Sequence, residues 1–90
     1  MKQRTITRDV YVRKHFKIHK EEIQYRKTPI YHIESPNGVI KLGQIKWFPA
    51  WRSYCFFPEP DTVWDFTCLS EINIFLDLIK EGKIWVIELL

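Results

Sequence analysis

No apolar run in the 90-residue chain approaches the ~20 residues a helix needs to cross a bilayer, and the opening MKQRTITRDVYVRKH is charged throughout. The sequence thus reads as soluble, outside the secretory route and without a membrane partner. Cysteine is scarce: Cys55 and Cys68 stand thirteen residues apart and form no CxxC pair. In a reducing cytosol two free, buried thiols are expected. No catalytic, nucleotide-binding or paired metal-ligand motif occurs, nor any internal repeat or low-complexity segment. Ninety residues supply one hydrophobic core, so the expectation is a single domain, 1–90, with any site on its surface or in a shallow cleft.

Aromatic residues, by contrast, are plentiful. Four Trp, four Tyr and six Phe make 16% of the chain, a load that suits a pleated sheet and excludes a disordered protein. Charge is unevenly spread. Residues 1–27 hold nine Lys or Arg against three acids, a net of +6, whereas residues 61–90 hold two against six, a net of −4. Such a layout marks either an N-terminal anion-binding face or two halves of the fold that attract each other.

Between Ile6 and Ile18 the apolar residues Ile6, Val10, Val12, Phe16 and Ile18 fall on even positions. Period two predicts one or two half-buried strands, against a rival basic helix over His15–Arg26 with a poor apolar face. After Thr28-Pro29 a short strand is predicted at Ile30–Glu34. Ser35-Pro36-Asn37-Gly38 reads as a turn, and Val39–Phe48 as the returning strand. A second hairpin turns near Phe48–Trp51. If Trp47 pairs with Arg52, Ile45 faces Tyr54 and Gly43 faces Phe56 on a side for a helix to cover, leaving Gln44, Lys46, Ser53 and Cys55 on the other.

Asp65 or Thr67 reads as the cap of a helix over about 66–81, with Leu69, Ile72, Leu76 and Ile79 as its apolar stripe, widened by Phe75 and Leu78. Gly82 supplies its left-handed end. Lys83–Leu90 is predicted to return as a terminal strand. The fold class is α+β, a mostly antiparallel sheet of about five strands with one main helix on a face. Its parts are basic N-terminal strands (1–27), an aromatic hairpin and helix core (28–82) and the terminal strand (83–90).

The run LGQIKWFPAWRSYCFFPEPDTVWDFTCLSEINIFL resembles small bacteriophage and prophage proteins in which an LGxIxW strand, a WRxYxFxP strand and a TVW…CLxEIxxF helix follow in order. The likeness covers Leu42–Leu76, under half the chain. It implies a phage origin and a fold unit in a bacterial host cytoplasm, but no chemistry.

Candidate chemistry is thin. His15 and His19 have a helical metal-ligand spacing but no second half, and with Cys55 or Cys68 they make a weak zinc set, so no metal or cofactor is assigned. Cys68 near a helix N-terminus would gain from the macrodipole, with His32 as a partner base. A small buried thiol accounts for it as well. Asp61 and Asp65, four apart, read as turn and cap residues, and no enzyme activity is expected. Arg52 beside Trp47 reads as a cation–π contact at the core edge. The binding candidates are Arg8, Arg13, Lys14, Lys17 and Lys20 in the basic segment, with Lys46 and Arg52 in the hairpin. They suit docking on a host or phage protein, such as a host enzyme or defence complex to be inhibited. The second reading is nucleic acid, through phosphate neutralisation and stacking. The chain is expected to be a monomer, or a homodimer paired through its terminal strand.

Overall fold

The alternating apolar pattern does produce strands. The computed structural model describes residues 5–82, so the expected terminal strand at Lys83–Leu90, and a dimer paired through it, lie outside the described residues. Five strands, β1 (Thr5–Val12), β2 (Lys17–Ile23), β3 (Ile30–Glu34), β4 (Lys41–Phe48) and β5 (Ser53–Pro58), form an antiparallel meander in chain order. Helix α1 (Phe66–Lys80) packs on one face, giving the α+β architecture.

Strand type was legible in β1, but its phase was not. Asp9 faces His19 and Tyr11 faces Ile18, which leaves Val10 as an extra residue in a β-bulge. The bulge buries Val10 and Tyr11 in succession and turns Val12 out to solvent. Tyr11 therefore takes the inward place expected of Val12.

The β3–β4 turn lengthens, and the four-residue β4–β5 loop shifts by one. Ser35 N–H donates to Ile40 O at 2.9 Å and Ile40 N–H to Ser35 Oγ at 3.0 Å, so Val39 and Ile40 belong to the turn and β4 begins at Lys41. Gly38 sits within it at φ +79°, where a side chain would be strained. In the β4–β5 hairpin the loop is Pro49–Arg52, and the pairs are Trp47 with Tyr54, Ile45 with Phe56 and Gly43 with Pro58. The expected register is off by two residues. A slip of two keeps side-chain parity, so the faces expected for Gly43, Ile45, Trp47, Tyr54 and Phe56 are observed.

Asp65, not Thr67, caps α1: its Oδ1 accepts the Cys68 N–H at 2.8 Å. At the other end Gly82, at φ +70°, donates its N–H to Ile79 O at 3.0 Å. The inward stripe centres on Ile72 and Phe75, with Cys68, Leu76, Leu78 and Ile79 beside them, and Leu69 is half-exposed. Phe75 is the hub. Its ring lies 5.3 Å from Tyr11 and 5.1 Å from Tyr31, and Tyr31 meets Tyr54 at 6.1 Å. A second group sets Trp64 against Phe56 at 4.9 Å and Phe16 at 6.3 Å. Edge-on ring pairs of this kind add about 0.5–1.5 kcal/mol each beyond area burial.

Gly43 is required by close approach. A Cβ there would stand 2.9 Å from Phe56 Cε1 and 2.9 Å from Phe57 O. Gly43→Ala should therefore lower unfolding free energy by roughly 1–3 kcal/mol, read as a lower urea midpoint at unchanged slope. Adding Phe56→Leu should recover part of that loss, and an unchanged Gly43→Ala midpoint would contradict the packing.

Candidate functional site

The seven basic candidates do not converge on one patch. Arg13 is spent inside the fold: its Nε meets Glu71 Oε2 at 2.7 Å and its guanidinium stands 3.9 Å over the Tyr11 ring. Tyr11 O–H donates to the same Glu71 oxygen at 3.3 Å, and burial pushes the phenol's pKa up. This clasp joins β1 to α1. Partial exposure of both charges limits the ion pair to under about 1 kcal/mol.

Lys20 pairs with Glu22 at 3.0 Å and, like Arg8 opposite it in the register, is on the α1 side of the sheet. Lys17 and Lys46 are on the open side, Lys17 near Asp9 (3.6 Å) and Glu34 (3.9 Å), and Lys46 4.9 Å over the Phe57 ring. Lys14 is in the β1–β2 turn and Arg52 in the β4–β5 turn, at opposite ends of the sheet. In that hairpin the cation over a ring is Lys46, not Arg52. Trp47 packs edge-on to Tyr54 at 5.5 Å, on the helix side as expected.

A groove of about 550 Å³ opens where α1 begins, walled by Phe16, Ile40, Leu42, Val63, Trp64 and Cys68, with His15, Asp61, Thr62 and Asp65 at its polar margin. Apolar side chains stand out around it. Val63 is 96% exposed, Phe66 85%, Val39 78% and Ile40 59%. Val39 and Ile40 belong to the β3–β4 turn, Val63 to the approach to α1 and Phe66 to its first position. Sequence reading placed Val39 and Ile40 in a strand, because turn residues with branched apolar side chains look like strand ends, and nothing local marks Val63 and Phe66 as exposed.

Cys68 is the thiol in the groove. Partial burial pushes the Cys68 thiol up, and the Asp65 carboxylate beside it adds to the rise, opposite to the lowering a helix N-terminus alone would give. Asp65 is itself held low, chiefly by the Cys68 N–H it accepts. The imidazole near this thiol is His15, which also lines the groove. His32 belongs to the opposite face. Cys55 and Cys68 are both free thiols, half-buried rather than buried.

That opposite, open face carries an arrangement unseen in the sequence. His19 pairs with His32 across β2 and β3, their rings stacked at 4.9 Å with 24° between planes. His19 Nδ1 meets Glu34 Oε1 at 3.0 Å, and His32 Nε2 meets Glu21 Oε1 at 3.1 Å. Each contact is a diagonal across the ladder, so His19-Lys20-Glu21 and His32-Ile33-Glu34 are related by the local twofold of the antiparallel pair. The repeated His-x-Glu was the available signal, and only the register gives it meaning. With Asp9, Glu21 and Glu34 against Lys17 and Lys46, this face is not basic.

The described residues thus define a small α+β meander with an apolar groove at one end and a polar, histidine-bearing sheet face. The chain is similar to the "Uncharacterized 9.3 kDa protein" of Acholeplasma phage L2, with 29% identity over 58 residues, 64% of this chain and 74% of that protein. That similarity supports a likeness to small phage proteins. No family model and no solved structure matches it. Among the described residues no helix is long and apolar enough to cross a membrane.

The raised Cys68 thiol has a measurable consequence. In a Cys55→Ser background, alkylation of Cys68 by iodoacetamide should be slower in the folded than in the urea-unfolded chain at neutral pH. The gap should close as pH climbs past the raised pKa. Asp65→Asn, which keeps a capping oxygen, should speed the folded reaction, and equal rates in all three would contradict the assignment.

Proposed function

We propose that this is a small, non-enzymatic phage-type protein that acts by docking on another protein, and that the apolar end of the molecule is its contact surface. The observation that carries the reading is the concentration of Val39, Ile40, Val63 and Phe66 in solvent around the groove. Exposed apolar side chains gathered beside a concavity are the usual sign of an interface, since they cost solubility and add nothing to the fold. The raised Cys68 thiol and the cap role of Asp65 support the non-enzymatic part.

The partner fits the setting implied by a phage relative: a host or viral protein in the bacterial cytoplasm, with a host enzyme or defence complex that it inhibits as the finer reading. Lys14, in the turn beside His15, adds positive charge at this end. Nucleic-acid binding ranks second, because Arg13, Lys17, Lys20 and Lys46 are engaged within the fold and Lys14 and Arg52 stand far apart.

The test is affinity capture of the tagged full chain from nuclease-treated bacterial host lysate, beside a Val63→Asp/Phe66→Ser variant. Both side chains are exposed, so the variant's stability should stay within about 0.5 kcal/mol of wild type. A stoichiometric protein present with wild type and absent with the variant is the expected result. Retention of the same partner by the variant would refute the groove as the contact, and recovery of nucleic acid lost at high salt would favour the second reading.

A further inference from the structure

We infer that the open sheet face holds a zinc-class divalent cation site built from Asp9, His19 and Glu34. One donor atom from each of the three lies within 4.8 Å of the other two, at the mouth of a hollow of about 410 Å³ that Thr7 and Arg8 also line. His19 Nδ1 and Glu34 Oε1 are 3.0 Å apart. Two ligands at about 2.0–2.1 Å from one zinc ion stand roughly that far from each other, so both reach one ion with little movement. Asp9 is directly opposite His19 in the ladder, so its carboxylate closes the set from the edge strand.

The donor chemistry selects the ion. Two carboxylates balance a double positive charge, and an imidazole nitrogen favours zinc and its neighbours over magnesium or calcium. A second layer holds the first in place. The His32 ring stacks on His19, and Glu21 anchors His32 at 3.1 Å, which sets the plane in which His19 presents its nitrogen. Three protein ligands leave further positions for water or for a side chain of a partner.

Lys17 is the competitor. Its ammonium stands 3.6 Å from Asp9 Oδ2 and 3.9 Å from Glu34 Oε1, beyond hydrogen-bond length, and its four-carbon stem allows it to swing away. This placement gives the inference an unusual signature, because one substitution should strengthen binding.

The experiment is calorimetric titration of the untagged full chain with Zn²⁺ alone, with folding of each variant checked by circular dichroism. One ion per chain is expected. His19→Ala and Glu34→Gln should each weaken binding at least about tenfold, while Lys17→Met should tighten it about tenfold by removing a like charge from the site. His32→Phe, which keeps a ring to stack, should leave stoichiometry unchanged. No binding by wild type would overturn the inference. Binding that survives in His19→Ala but is lost in Cys55→Ser or Cys68→Ser would overturn it too, as would a Lys17→Met variant no tighter than wild type.

Discussion

Phe75 packed into the rings of Tyr11 and Tyr31 is the contact on which the rest depends. It presses α1 onto one side of the meander, with Tyr54 and Ile72 filling in around it. Once that side is covered, strand parity decides exposure along the middle of the sheet. Ile18, Ile33 and Ile45 are sealed at 0% accessibility, while His19, His32 and Gln44 face outward on the same strands. Tyr11, Phe16, Tyr31, Tyr54, Phe56, Trp64 and Phe75 go to this purpose, while Tyr25, Trp51 and Phe66 stand in solvent.

The opposed charges of the two halves find their explanation in the same contact region. Arg13 from the basic segment and Glu71 from the acidic helix meet over Tyr11, so part of the gradient is attraction within the fold. Lys17 and Lys20 are likewise answered by Asp9, Glu34 and Glu22. Two outward surfaces stand out: an apolar rim where α1 begins, and a histidine–carboxylate ladder on the uncovered face. These are different surfaces on opposite sides of one small sheet, and each can be altered without touching the other.

Much of the fold was legible because its signals are local. Ser35-Pro36-Asn37-Gly38, the cap at Asp65 or Thr67 and Gly82 are each read from two or three residues; the turn runs on to Ile40, the cap is Asp65, and Gly82 ends the helix as expected. The β4–β5 register was wrong by two residues, yet the faces came out right because side-chain direction repeats every two. The β1 bulge was different: one extra residue reverses parity, and nothing in Asp9-Val10-Tyr11 announces it. The sites were less legible still. The His19–Glu34 and His32–Glu21 diagonals need the β2–β3 register, and the groove needs a turn and a helix approach that are twenty-odd residues apart. Net charge pointed to Arg13, Lys17 and Lys20 as a binding face because composition cannot show which charges already have partners.

Both surfaces depend on which side of the sheet α1 covers, and nuclear Overhauser contacts among the aromatic rings measure that directly. The rings of Tyr11 and Tyr31 should show cross-peaks to Phe75, and His19 should show them to His32 and none to α1. Cross-peaks from His19 or His32 to Phe75 or Ile72 would place the helix on the other face and dismantle both surfaces at once.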